Sequence, residues 1–399
     1  MKALYLSLFC PQPLLEEIRK ISGTNPGYAG QKFDYLMIKG LIKNGVECDA
    51  LSSIPINRRI SKKLFWNKKN ITERGIKFKL IPFINFPILH QLCLFVYTFN
   101  YVLFWGITKR KEKFIIADVL NFTICAAALI ASKLIGIKSI GVVTDMPGFL
   151  VNAAGGKSDS ISRNKKLYSI MKQSIFHYDG YVFLTEQMNS VINKKYKPYI
   201  VMEGLVDSEI PFDENRVIEG EERIILYAGG LHERYGLKTL VEAFIKLTDE
   251  NLRFWIFGSG PFADDLKNIY CKKDKRIIYK GIRPNNEVVE AELKATLLVN
   301  PRPTHEEFTK YSFPSKNMEY MVSGTPVLTT RLPGMPKEYY PYIFIFDEET
   351  LNGYEKKLNE VLQLSQESLE KKGKAAKEWI LNNKNNRTQT SRILALDIF

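Results

Sequence analysis

The order of apolar segments predicts two consecutive α/β domains, each a doubly wound sheet, facing one another across a cleft. Three observations carry that expectation. The chain has 399 residues, too many for one ordinary domain and enough for two that each bury a core. Short apolar runs alternate with helix-period segments almost throughout, as βαβ units require. After a polar, charged stretch near residues 204–222 the same alternation begins again.

In the first half, expected strands lie at 3–9, 76–81, 114–120, 139–144 and 180–184. A Gly/Pro/Asn loop at 22–30 leads into a helical stretch over 31–43. In the second half, strands are expected at 223–228, 253–257, 276–279, 296–300 and 326–329. The tail over 359–398 is helical in pattern and carries no strand. The predicted domains are therefore 1–204 and 205–399, the second ending in helices.

Composition is that of a globular protein, 45% hydrophobic and 25% charged, with a net charge of +14. The basic excess is uneven. Arg58, Arg59, Lys62, Lys63, Lys68, Lys69, Arg74, Lys77 and Lys79 face a single acid in that interval, Glu73. The next stretch, 80–108, has no charged residue, is rich in aromatics, and is followed by Lys109, Arg110 and Lys111. It is long enough to cross a bilayer. However, His90, Gln91 and Asn100 interrupt it, and a crossing would put the strands on either side in different compartments. The expectation is a helix partly in the core and partly at an anionic membrane surface; a wholly buried helix is the alternative. No nucleic acid is expected as a partner. The five cysteines are odd in number and widely spaced, without metal-ligand spacing. The amino terminus reads as a first strand, not a leader peptide, so the expected location is cytoplasmic, peripheral to the inner face of the membrane.

In open α/β sheets ligands sit beyond the carboxyl ends of the strands. Three places in the second half fit phosphate chemistry there. Gly229 and Gly230 end one strand and allow close backbone approach, with Arg234 and Lys238 nearby as candidate cations. Gly258 and Gly260 end the next, before Pro261. The third is the most specific: Asn300-Pro301-Arg302, then the FPSKNME stretch at 313–319. Pro314 suits the first turn of a helix, so the amides of Ser315 and Lys316 would point toward an anion at a positive dipole end. Glu319, one turn further in, offers a carboxylate for both hydroxyls of a ribose.

YAGGL, FGSGP, NPR, YSFPSKNMEYMVSGTPVL and the GMPKEY segment at 334–339 together resemble the retaining family 4 glycosyltransferases of the GT-B fold, which build bacterial surface polysaccharides and glycolipids. The first half resembles them more loosely, through the loop up to Gly30, VVTD at 142–145 and DGYVFLTEQM at 179–188. The resemblance implies two Rossmann-like domains, a nucleoside-diphosphate sugar donor (UDP- or GDP-linked) and a glycan or lipid-linked acceptor. It implies sugar transfer with retention of configuration, with neither cofactor nor metal. Of the family's two glutamates separated by seven residues, the second falls on Glu319 and the first on Tyr311. Glu306 and Glu307 lie close upstream of that departure. The family's usual arginine and lysine fall on Gly230 and Tyr235, which leaves Lys316, Arg234 and Arg302 as replacements. The residue near the anomeric centre falls on Asp145, which orients sugar or acceptor or simply caps a turn. Two other readings share this architecture: a sugar-nucleotide 2-epimerase and a non-catalytic glycan-binding relative. A nicotinamide dehydrogenase is disfavoured, since no GxGxxG follows the first strand.

Overall fold

A computed structural model of the protein describes residues 1–22, 28–108, 112–146, 173–210 and 222–399. Most of the loop before Gly30, the basic triplet Lys109, Arg110 and Lys111, and most of the 204–222 linker lie outside the described residues. The chain divides into two units, Met1–Leu205 with Asn386–Phe399, and Val206–Asn385.

The first unit carries strands β1 (Lys2–Ser7), β2 (Glu47–Ser52), β3 (Phe65–Trp66), β4 (Lys69–Glu73), β5 (Ile76–Leu80), β6 (Phe83–Ile84), β7 (Lys113–Asp118), β8 (Lys138–Val143), β9 (Gly180–Phe183) and β10 (Tyr199–Val201). Eight form one sheet in the order β10-β9-β8-β7-β1-β2-β5-β4. All its pairings are parallel except β4 with β5. Its described helices before the linker are α1 (Gln12–Ser22), α2 (Tyr28–Lys43), α3 (Pro87–Ile107), α4 (Phe122–Leu134) and α5 (Glu186–Ile192). Gly30 falls inside α2, in its first turn, not in a loop as its neighbours suggested; a helix-period run simply starts earlier than its apolar residues do. Strand β2 escaped the sequence reading because Glu47 and Asp49 break the apolar run. Asp49 is buried beside Lys2, 3.0 Å away.

A carboxylate pair lies at the carboxyl edge of this sheet. Asp34 on α2 accepts from the Tyr5 hydroxyl at 2.6 Å, and burial together with the charge of Asp118 pushes its carboxyl up to about 8. Burial, aided by the charge of Asp145, pushes Asp118 up to about 6. Both groups hold a proton in the folded state at pH values where the unfolded chain has released it. Stability of this unit is therefore present in full at low pH and falls as pH rises from about 4 through about 8. Asp34→Asn is expected to remove roughly 1–3 kcal/mol of that pH dependence. Urea midpoints at acid and alkaline pH check it; an unchanged slope refutes it.

The second unit has one six-stranded sheet of β11 (Arg223–Gly230), β12 (Leu252–Ser259), β13 (Ile277–Gly281), β14 (Leu297–Asn300), β15 (Val327–Thr329) and β16 (Phe344–Ile345). Their order is β13-β12-β11-β14-β15-β16, and every pairing is parallel. Helices α6 (Leu237–Ile245), α7 (Asn285–Lys294), α8 (Ser315–Ser323), α9 (Leu351–Leu362) and α10 (Gln366–Asn383) cover both faces. Strand β11 shows why: Ile225 and Tyr227 join a core with Leu240 and Leu358, while Ile224, Leu226 and Ala228 join another with Met318 and Ile380. Alternate residues of a strand point to opposite faces, so an unbroken apolar run needs a layer on each side.

The last helix, α11 (Asn386–Leu394), differs from the expected domain membership of 205–399. It packs in the first unit, with Ile393, Leu396 and Ile398 among Leu36, Met37 and Phe114. Asn44 clamps it through Nδ2, donating to Arg387 O at 2.8 Å and Thr390 Oγ1 at 2.9 Å. The approach is close at Gly40, where an added Cβ would sit 2.3 Å from Asn386 O. All five cysteines are free thiols.

Candidate active site

The carboxyl ends of β11, β12 and β14 bring most of the second-half candidates into one neighbourhood. Gly229 lies opposite Gly258 in the parallel register of β11 and β12. Gly258 has φ +125°, and a Cβ there would stand 1.9 Å from Gly229 O; at Gly260 it would stand 2.3 Å from Leu231 O. These two glycines are thus demanded by the backbone itself, apart from any ligand. Gly229 and Gly230 are half-buried, and a Cβ on either would first meet the side chains of Tyr227 or Tyr235.

Beyond β11, a short turn at Glu233–Tyr235 precedes α6. It places Arg234 and Tyr235 beside Arg302, which follows β14. The Arg302 guanidinium lies 4.9 Å from the Tyr235 ring centre and 5.3 Å from that of Phe308. The Arg234 guanidinium lies 5.4 and 5.7 Å from the same two rings. Two cations thus share one aromatic pair, which holds planar guanidinium groups in a defined orientation. Tyr235, where the resemblance puts a lysine, here supports two arginines. Phe308 had no signal in the sequence reading. Lys238, the other cation weighed there, is exposed and lies 3.9 Å from Glu233.

The FPSKNME stretch forms the start of α8. Pro314 takes the N-cap position, one residue earlier than expected, and Ser315 and Lys316 are the first two helical residues. Amides at such positions have no carbonyl within their own helix. The segment is tied to the strand ends. Asn300 Nδ2 donates to buried Asn317 Oδ1 at 2.7 Å, and Arg302 Nη1 approaches Ser312 Oγ at 3.5 Å. Ala228 N donates to the Tyr320 hydroxyl at 2.8 Å. Tyr320 therefore pins α8 to β11 from within the core. Its neighbour Glu319 is left half-buried on the helix side, where its Oε2 meets Lys316 Nζ at 3.0 Å.

Tyr311 is half-buried after the short turn at Glu307–Lys310, its N–H bonded to Phe308 O at 3.0 Å. Glu306 lies 3.9 Å from exposed His305, and Glu307 is exposed. Glu349, which the sequence did not single out, braces this loop by accepting from Thr304 N at 2.8 Å. Gly30 and Asp145 belong to the first unit: Gly30 is exposed, and Asp145 is half-buried just past β8, near enough to Asp118 to raise its pKa. Among the described residues, no group of three or more His, Cys, Asp or Glu side chains is arranged to hold a metal ion.

Residues 209–379 match the family of glycosyl transferases group 1, so the second half carries a domain of that kind. A putative teichuronic acid biosynthesis glycosyltransferase of Bacillus subtilis, TuaH, is 23% identical over 221 residues, covering 52% of this chain. That match spans 54% of the relative's length. Among solved structures, sucrose-phosphate synthase from Thermosynechococcus elongatus has a TM-score of 0.62 at 13% identity, covering 99% of this chain and 98% of that one. HepE of Anabaena in complex with UDP scores 0.61 at 12%, covering 99% and 100%. S. aureus TarM, solved with UDP, fondaparinux and α-GlcNAc-glycerol, scores 0.61 at 11%, covering 99% of each chain. The fold is that of the GT-B glycosyltransferases.

Proposed function

We propose that the protein is a retaining glycosyltransferase of the family 4 type that moves a sugar from a nucleoside-diphosphate donor to a glycan or lipid-linked acceptor in surface polysaccharide assembly. One observation carries this reading: the segment leading into α8, which bears Lys316 and Glu319, meets Arg302 at Ser312, and Arg302 shares an aromatic pair with Arg234, within the stretch that matches glycosyl transferases group 1. The diphosphate would lie against the amides of Ser315 and Lys316 and the cations Arg234 and Arg302. Glu319 would take the ribose hydroxyls. Tyr311 would border the sugar where a glutamate is usual, and Asp145 keeps the role the resemblance gives it, orienting sugar or acceptor.

Retention follows by front-face attack, in which the acceptor hydroxyl bonds to the anomeric carbon as the diphosphate leaves and a diphosphate oxygen takes its proton. No protein base is needed. Catalysis rests on positioning and on cations that meet the charge growing on the leaving group. In this reading those cations do the work of a metal. The chain acts on the cytoplasmic side, at the inner face of the membrane.

A titration of the full chain with UDP, GDP and their sugar conjugates tests the reading. Saturable binding of one nucleoside diphosphate, and transfer or slow hydrolysis of its sugar conjugate, is expected. Failure to bind any of them would leave the non-catalytic reading. Formation of a new sugar-nucleotide isomer without acceptor would instead favour the epimerase.

A further inference from the structure

Helix α3 has two apolar faces, one of which packs on α4 and β6 among the described residues. Leu94, Thr98, Val102 and Trp105 are buried, and α3 packs against α4. On the other side Ile88, Leu92, Val96 and Phe104 are 69%, 56%, 47% and 71% exposed. These residues form a stripe about 24 Å long from 88 to 104 at 1.5 Å per residue. Only 22% of the most apolar stretch of the helix is buried, so a wholly buried core helix, one sequence expectation, does not describe it. Neither does a crossing: β5 before it and β7 after it belong to one sheet, separated only by β2 and β1.

A basic loop is stitched to the same end of the helix. Strand β3 pairs with β6, setting Phe65 opposite Ile84. Buried Asn85 donates through Nδ2 to Ser61 O at 2.8 Å and Lys63 O at 3.1 Å, and its N–H donates to Leu64 O. Trp66 stacks on Phe83, which stacks on His90 of α3. Phe65 is left 63% exposed, flanked by exposed Lys62 and Lys63. From 58 to 72 the chain has six basic residues and no acid. Further along, Lys79 Nζ lies 5.0 Å from the Tyr101 ring and Lys113 Nζ 5.0 Å from the Trp105 ring.

We infer that the exposed face of α3, with Phe65 and the lysines beside it, is a docking surface for an anionic lipid bilayer, with α3 lying in the plane of the interface. An apolar stripe with rings and lysines at its border matches the boundary between acyl chains and headgroups. The basic residues beside the stripe complement anionic headgroups, which favours an anionic bilayer as the occupant. The inference deepens the proposed function, from which it takes the lipid-linked acceptor, but its test is separate.

The full chain is mixed with vesicles of phosphatidylcholine alone or of equal parts phosphatidylcholine and phosphatidylglycerol, then floated at low and raised salt. It should float with the anionic vesicles and be released as salt rises. Lys62→Glu with Lys63→Glu, and Leu92→Gln with Phe104→Gln, should each lower vesicle affinity about tenfold or more. These side chains are exposed, and unchanged circular dichroism and thermal midpoints verify folding. Wild-type protein that stays in solution with anionic vesicles overturns the inference, as does unchanged binding by both folded variants. A stable dimer dispersed by the Leu92→Gln and Phe104→Gln changes, without vesicle binding, would assign the face to a second copy and also overturn it. Nucleotide titration without vesicles reports on the proposed function alone.

Discussion

Replacing Lys316 with alanine is expected to lower sugar transfer by about 10²–10³-fold, with a much smaller change in donor affinity. Lys316 occupies the second position of α8, so its ammonium adds to the positive end of the helix. Charge on the leaving diphosphate grows only as the glycosidic bond breaks, and a preorganised cation there acts on the transition state. Its Nζ lies 3.0 Å from Glu319 Oε2. Lys316→Arg should retain a measurable fraction of the rate. Steady-state kinetics with saturating donor decides it, and near-normal turnover by the alanine variant would remove the cradle assignment. Glu319→Gln is the counterpart. It should weaken the nucleoside diphosphate by about tenfold and abolish discrimination against the 2′-deoxy analogue. Unchanged affinity for both would remove the ribose role.

Gly258→Ala is expected to destabilise the second unit by about 2–4 kcal/mol. The added methyl would lie 1.9 Å from Gly229 O, a backbone atom of the neighbouring strand that cannot rotate away, and φ +125° is foreign to alanine. Relief would have to separate the ends of β11 and β12, where the candidate site begins. Gly281→Ala is the control. It shares a positive φ, +71°, but has open space around its Cβ, so about 1 kcal/mol is expected. Chemical unfolding midpoints for the two variants measure the difference. Equal losses would show that backbone conformation, not the strand contact, is what Gly258 supplies.

Several parts of the site were legible locally. Pro314 suits the first turn of a helix, and Gly258 and Gly260 suit the end of a strand. Other parts were not. Lys238 and Arg234 both stand near the glycine turn in sequence, and only Arg234 is also a candidate replacement for the missing family cations. Arg234 faces two rings, one of them Phe308 from beyond β14, whereas Lys238 faces solvent and Glu233. Arg302 belonged to a motif without a stated partner, and the pair it makes with Arg234 depends on β11 lying next to β14. Tyr320 carries no local signal for the bond that the backbone of Ala228 donates to its hydroxyl.

The sequence by itself determined that two α/β halves follow one another, where most strands run, and that a helix starts within the FPSKNME stretch. These are local properties, written in the period of apolar residues and in backbone-restricting Gly and Pro. Only the tertiary structure decided that α11 packs in the first unit, that Arg234 and Arg302 share an aromatic pair, and that α3 leaves one apolar face uncovered. Each of these depends on which elements become neighbours. Sheet order and helix packing bring together residues that no local pattern connects, and burial then selects which apolar and charged groups are covered and which stay in contact with solvent.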